Sequence, residues 1–267
     1  MKTIQSVKIL GTGSYAPSQV VTNHTLASKL DTTDSWIVEK LGIHERRIAS
    51  TDEWTSHLAT EAGKKALSAA GLDPEDLDLV IVCTSTPDRL APSTACFVQS
   101  QLKATKAAAF DLNAVCSGFM YGSTVATQFV ATGAYRNVLV IGADTFSKIT
   151  DWERRDAVFF GDGAGAAIFS AATEGNGFLA SALYADGNGA DAWTIPAGGS
   201  ELPASEETIK YRQHFFRMDG RAVFETATTV LPEVIQEVLD LAELSISDIK
   251  YVIPHQPSIK ILMKTAE

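Results

Sequence analysis

An internal repeat constrains this chain more than any other feature. The run Leu72-Asp73-Pro74-Glu75-Asp76-Leu77-Asp78-Leu79-Val80-Ile81-Val82-Cys83 lines up with Leu244-Ser245-Ile246-Ser247-Asp248-Ile249-Lys250-Tyr251-Val252-Ile253-Pro254-His255, and Leu, Asp, Val and Ile recur at matching places. A helical stretch precedes each copy, at residues 55–70 and 227–242, and the same offset sets the apolar segment 178–183 opposite the first strand. Three elements agreeing at one offset predict two copies of one α/β unit. The junction falls near Thr173-Glu174-Gly175-Asn176-Gly177, giving an N-terminal half over 1–174 and a C-terminal half over 175–267.

Within the first copy, short β-rich runs alternate with helical ones, the pattern of an α/β fold. Val7 to Gly13 reads as a strand ending in Gly-Thr-Gly. Residues 55–70 carry Leu58, Ala62, Ala66 and Leu67 on one helical face, with Gly71 as the stop. Leu79 to Cys83 is continuously apolar, as a strand covered on both faces must be. A strand over 107–114, a helix over 117–132 closed by Gly133, and strands at 138–141 and 164–169 complete the copy. The second copy stops just after the helix that follows His255, so its sheet lacks strands that the first possesses, and the chain reads as truncated.

A net charge of −10 with no compensating basic run argues against nucleic acid or an anionic membrane as partner. The N-terminal residues lack the apolar stretch of a signal peptide, and no run nears the roughly 20 residues that span a bilayer. Three cysteines make no disulfide framework, which fits a cytoplasmic location.

One of these cysteines has a special setting. Cys116 lies in Phe110-Asp111-Leu112-Asn113-Ala114-Val115-Cys116-Ser117-Gly118-Phe119, where a strand delivers it to the start of a helix rich in small residues. Amides and the helix dipole there favour a nucleophilic thiolate. Cys83 and Cys96 lack this placement and read as small buried hydrophobes. His255 ends the apolar run Tyr251-Val252-Ile253-Pro254, which predicts a histidine at the carboxyl end of a strand. There it can exchange a proton or donate a hydrogen bond to a developing oxyanion. His24, His44, His57 and His214 have no comparable setting. The run Phe160 to Ala166 lacks the Lys-Ser/Thr of a phosphate loop and reads as a close-packed glycine turn, and Gly11-Thr12-Gly13 lacks a dinucleotide fingerprint. No spacing of His, Cys or acidic residues suggests a metal.

With these residues in place, the chain resembles the β-ketoacyl-[acyl-carrier-protein] synthase III family of the thiolase-like superfamily over essentially its whole length. The matching segments are Gly11 to Tyr15, Asp34 to Val38 with Gly42-Ile43, Pro92 to Cys96, the Cys116 segment, Phe160 to Ala166, Ala185-Asp186-Gly187 and Pro254-His255-Gln256. The resemblance implies a duplicated α/β/α/β/α layered fold and a homodimer. It also implies acyl-CoA and acyl carrier protein as partners, with thioester substrates and no cofactor. It makes Cys116 the acyl acceptor and gives His255 the enolate formed when malonyl-acyl carrier protein loses carbon dioxide. Trp36 and Arg154 match positions at the adenine end of CoA, Phe159 falls among the CoA-binding positions, and Phe224 and Ala227 match the pantetheine tunnel. Ser258 stands where asparagine is common, and Lys40 and Lys260 where arginine is usual, losing the bidentate fork. Ala91 stands where a large side chain often caps the partner's acyl pocket, which implies room for a bulkier acyl group. The family's asparagine and oxyanion-hole glycine turn fall past Glu267.

Three readings follow: a decarboxylating condensing enzyme of fatty-acid synthesis, a secondary-metabolism relative passing the acyl group to another nucleophile, and a non-catalytic partner subunit. Retention of both Cys116 and His255 speaks against the third.

Overall fold

The structure is a computed structural model that describes residues 5–172 and 177–267. The expected junction at 173–176 lies outside the described residues. In chain order the elements are β1 (Val7–Tyr15), β2 (Gln19–Thr22), α1 (Asn23–Ala27), α2 (Asp34–Leu41), β3 (Glu45–Ile48), α3 (Thr55–Ala70), β4 (Leu79–Cys83), α4 (Thr94–Leu102), β5 (Ala108–Leu112) and α5 (Gly118–Ala131). Then come β6 (Asn137–Thr145), β7 (Asp162–Ala171), β8 (Trp193–Thr194), α6 (Glu206–Lys210), β9 (Arg217–Met218), α7 (Gly220–Leu241) and α8 (Ile259–Ala266). They fall into two compact units. The first takes the described parts of Met1–Val20, Arg47–Phe146 and Gly161–Leu179, and the second takes Val21–Arg46, Ser147–Phe160 and Ala180–Glu267.

The first unit is a five-stranded sheet in the order β1-β7-β6-β4-β5. β4 runs parallel to β5 and β6, while β7 is antiparallel to β6 and β1. The continuous apolar run of β4 is buried throughout because helices cover both of its faces. Val80 and Val82 point into a cluster with Ala62, Ala66 and Val98 of α3 and α4. Leu79, Ile81 and Cys83 point the other way, toward Ala126 and Val130 of α5. α3 keeps the expected bounds, and Gly71 ends it with φ 66°, the left-handed conformation glycine adopts most readily.

β1 runs through Gly11-Thr12-Gly13 to Tyr15 and does not stop there. A Cβ on Gly13 would lie 2.2 Å from the Ala62 carbonyl oxygen, and one on Gly11 2.5 Å from the Ala70 amide. Those two glycines let α3 lie directly on the strand. The close packing expected of the Phe160 to Ala166 glycines is found here instead. Residues from Asp162 on form β7, and Gly165 faces open space.

In the second unit, Leu26, Leu30, Ile37 and Leu41 pack with Ala157 and Val158. The repeat is visible in local geometry. Asp76 accepts from the Asp73 amide at 3.0 Å, and Asp248 accepts from the Ser245 amide at 2.9 Å, each closing a short 3-10 turn after a helix. Beyond these turns the copies part. The expected strands over 178–183 and 251–255 are absent: those residues have no ladder partner, and Leu179, Tyr251, Val252 and Ile253 are exposed. Apolar composition favours a strand, but only a neighbouring backbone completes one. Among the described residues, no helix is long and apolar enough to cross a membrane, and no three His, Cys, Asp or Glu side chains gather as a metal would need.

Candidate active site

The parallel strands β4, β5 and β6 end side by side, with Cys83 opposite Leu112 and Gly142. Crevices at such carboxyl ends are where α/β proteins bind ligands. Cys116 follows β5 here, in a 3-10 turn (Val115–Ser117) that runs directly into α5. Asn113 Oδ1 accepts from the Val115 amide at 3.3 Å, and Ala114 O accepts from the Ser117 amide at 3.0 Å. Val115 takes φ 48°, a strained conformation for a β-branched residue, immediately before the thiol. α5 approaches β4 closely because Gly118 and Gly122 leave room for Cys83, whose Sγ would sit 2.5 Å from a Cβ on Gly122.

The thiol itself departs from expectation. Cys116 is open to solvent as a residue, yet desolvation of its sulfur pushes the thiol up, and the charge of Asp144 pushes it further. Both effects favour the protonated thiol over the thiolate. Cys83 is buried as expected, and its thiol is pushed up to about 12. Cys96 is exposed, contrary to expectation, with Sγ 3.1 Å from Ser93 Oγ.

The other predicted residues lie in the second unit. Trp36, Arg154 and Phe159 line one shallow cleft of about 420 Å³, together with Arg155, Asp156, Met218 and Gly220. Trp36 is held on the apolar cluster beneath it. Arg154 spends its fork on Asp156, with Nη2 2.9 Å from Oδ2 and Nε 3.2 Å from both oxygens, while Arg155 lies over the Trp36 ring. Nothing local in the sequence revealed that the second arginine, not the first, would cover the ring.

Phe224 and Ala227 sit one turn apart on α7. Ser258 is buried and spends its hydroxyl accepting from the Ile261 amide at 3.3 Å, capping α8, whereas Lys260 is exposed. Lys40 pairs with Glu39 at 2.7 Å, and Lys260 acts on the same carboxylate. His255 is exposed in an irregular segment, and partial desolvation of its ring holds the imidazole below its usual range.

Comparison with known proteins places this arrangement. The family model for 3-oxoacyl-[acyl-carrier-protein] synthase III matches residues 110–187, which include Cys116. A β-ketoacyl-[acyl-carrier-protein] synthase III of Caldanaerobacter subterraneus subsp. tengcongensis is 52% identical over 255 residues, 95% of this chain and 77% of that protein. Among solved structures, the 3-oxoacyl-[acyl-carrier-protein] synthase III of Aquifex aeolicus VF5 is 42% identical with a TM-score of 0.88, covering 97% of this chain and 80% of that one. The priming β-ketosynthase of the R1128 polyketide pathway is 30% identical with a TM-score of 0.92, covering 100% and 79%. The fold is that of the thiolase-like α/β acyltransferases. Within that class, the chain belongs to the β-ketoacyl-[acyl-carrier-protein] synthase III family.

Proposed function

We propose that this protein condenses an acyl-CoA primer with malonyl-acyl carrier protein through an acyl-Cys116 intermediate. The carrying observation is the strained turn that sets Cys116 at the carboxyl ends of three parallel strands, in a chain 52% identical to such a synthase. In the first step, a bond forms between the Cys116 sulfur and the acyl carbon as the thioester bond to CoA breaks, and CoA leaves as the thiol with the proton from Cys116. In the second, malonyl thioester loses carbon dioxide. The electron pair left on carbon attacks the acyl carbonyl, a carbon–carbon bond forms, and the Cys116 thiolate departs and is reprotonated.

His255 donates a hydrogen bond to the enolate oxygen. Its lowered proton affinity supports this role, since a neutral imidazole keeps one N–H without carrying a charge. Trp36, Arg154 and Phe159 take the adenine end of CoA, which their common cleft supports. Phe224, Ala227, Ser258 and Lys260 take the pantetheine arm. The enzyme needs no cofactor and works in the cytoplasm as a homodimer. β5 at the edge of the sheet, with Phe110 partly exposed, supports an association through that edge. The paired turns at Asp73–Asp76 and Ser245–Asp248 support a chain built of two repeated halves.

Intact-mass spectrometry with a panel of acyl-CoAs tests the reading. An acyl adduct is expected on the wild type and not on Cys116→Ala, while His255→Ala keeps the adduct and loses carbon dioxide release from malonyl-acyl carrier protein. No adduct from any primer returns the chain to the partner-subunit reading. The similarity to a polyketide priming ketosynthase favours a second reading, a specialised relative. Preference for unusual primers over acetyl-CoA in the same panel would select it.

A further inference from the structure

The cleft that holds Trp36 and Arg155 is built from distant parts of the sequence. Trp36 stands in the first turn of α2, whereas Arg155 and Phe159 stand on a 3-10 turn (Arg155–Phe159). Apolar packing of Ile37 and Leu41 with Ala157 and Val158 presses the two walls together. Such packing is non-directional, and alone it does not fix where a ring on one wall meets a cation on the other.

A buried polar pair behind the cleft supplies the direction. Arg46 on β3 is 5% exposed, and its Nη2 donates to the Val158 carbonyl at 3.2 Å and to Asn23 Oδ1 at 2.8 Å. Its Nη1 donates to the Val21 carbonyl at 3.2 Å. Asn23, the fully buried first residue of α1, turns its other end toward α2. There Nδ2 donates to Asp34 Oδ1 at 3.0 Å and to the Ile43 carbonyl at 2.8 Å. The bonds thus run from Val158, inside the turn of Arg155 and Phe159, through Arg46 and Asn23 to Asp34, two residues before Trp36. Thr33 Oγ1 accepts from the Trp36 amide at 3.1 Å and holds the same turn of α2.

The partners fix the Asn23 amide, because reversing it would set its NH2 against the guanidinium and its oxygen against two acceptors. All three acceptors of Arg46 are neutral, so its buried charge carries a desolvation cost that an apolar side chain would avoid. What the guanidinium adds is a planar fork that holds its acceptors at set angles.

We propose that Asn23 and Arg46 are positioning residues of this cleft: their hydrogen-bonded tie sets the spacing of Trp36 from the Arg155–Phe159 turn, and with it the affinity for the adenine end of CoA. The proposal rests on the assignment of the cleft to that end of CoA. It adds two residues that act on the cleft from behind.

Calorimetric titration of CoA into the full chain tests it. Asn23→Asp keeps the acceptor for Arg46 but loses both hydrogens and sets a second carboxylate against that of Asp34. It is expected to weaken CoA binding roughly three- to tenfold. The exchanged variant, Asn23→Asp with Asp34→Asn, restores a donor and an acceptor in reversed roles. It is expected to bind CoA more tightly than Asn23→Asp alone, a repair that general damage to the core would not show. Arg46→Lys keeps the charge but loses the fork, and is expected to weaken CoA binding likewise. It decides the matter should Asn23→Asp fail to fold. Added to Trp36→Ala, Asn23→Asp is expected to cost less than it does in the wild type, since the tie acts through that ring. An Asn23→Asp affinity equal to wild type, or no gain on exchange, would overturn the proposal. Failure of the cleft's own assignment shows separately, as a CoA affinity that Trp36→Ala leaves unchanged.

Discussion

The guanidinium carbon of Arg155 lies 4.1 Å from the centre of the Trp36 ring, on a face of the indole that a base would need. The protein's own cation therefore covers that face of the ring, and under the proposed assignment of Trp36 to the adenine of CoA the base has to displace it. Such a cation–π contact is worth about 0.5–1 kcal/mol at an exposed site, whereas base–aromatic stacking is worth about 1–3 kcal/mol. The base wins the exchange. Trp36→Ala should raise KM for acyl-CoA about 5- to 30-fold and leave kcat nearly unchanged, because the ring binds ground state and transition state alike. Steady-state kinetics in acyl-CoA check this, and a matching fall in kcat would give Trp36 a different role.

In the proposed condensation, His255 sets the acid limb. Partial desolvation holds its imidazole below the usual 6.5, which favours the neutral ring, the form that the proposed hydrogen bond to the enolate uses. As pH falls, protonation turns the ring into a cation and removes the neutral donor, but the depressed value moves this loss to more acid pH. Stability follows the same sign: the benefit of a neutral ring is present above pH 6.5 and disappears as pH falls through the folded-state value. The condensation rate should hold down to pH 6.5 and inflect below it, and His255→Ala should lose that inflection. An inflection above 6.5 in the wild type would contradict the burial of this ring.

Much of the first unit was legible because its signals are local. The apolar run Leu79 to Cys83 is a strand, Gly71 ends α3, and a strand running into a small-residue helix marks the Cys116 turn. Three features were not legible, each for a physical reason. The thiol's raised proton affinity depends first on burial and then on Asp144, brought over by the β6 strand, neither of which a local motif shows. The cover on Trp36 comes from Arg155, far along the chain. The run Tyr251 to Ile253 has a strand's composition but no ladder partner, so composition outran geometry there.

Glycines on neighbouring strands should respond oppositely to the same change. A methyl on Gly13 would lie 2.2 Å from Ala62 O and 2.5 Å from the Ala66 amide, both fixed backbone atoms of α3. Gly13→Ala must push helix from strand, at about 3 kcal/mol or more. A methyl on Gly165 of β7 meets nothing within 4 Å, and that glycine has no left-handed φ. Gly165→Ala should change stability by less than about 1 kcal/mol and can raise it by restricting the unfolded chain. Thermal melts of the two variants should differ by roughly 6–12 °C.

Asp111 holds α4 from outside the helix. Ser93 at the N-cap makes no side-chain capping bond, and the amides of Thr94 and Ala95 donate instead to the two Asp111 oxygens at 2.6 and 2.7 Å. A carboxylate suits the task because it has two acceptors and a charge that the helix N-terminus favours. Asp111→Ala leaves two orphaned amides, on the fully buried Thr94 and Ala95, and should cost about 2–4 kcal/mol. Asp111→Asn keeps one acceptor but turns an NH2 toward the other amide, so it should recover about half of that loss. Urea unfolding gives the two free energies, and hydrogen exchange at the first turn of α4 shows whether the loss is local. Equal losses for Ala and Asn would mean that the charge, and not the pair of acceptors, secures the helix.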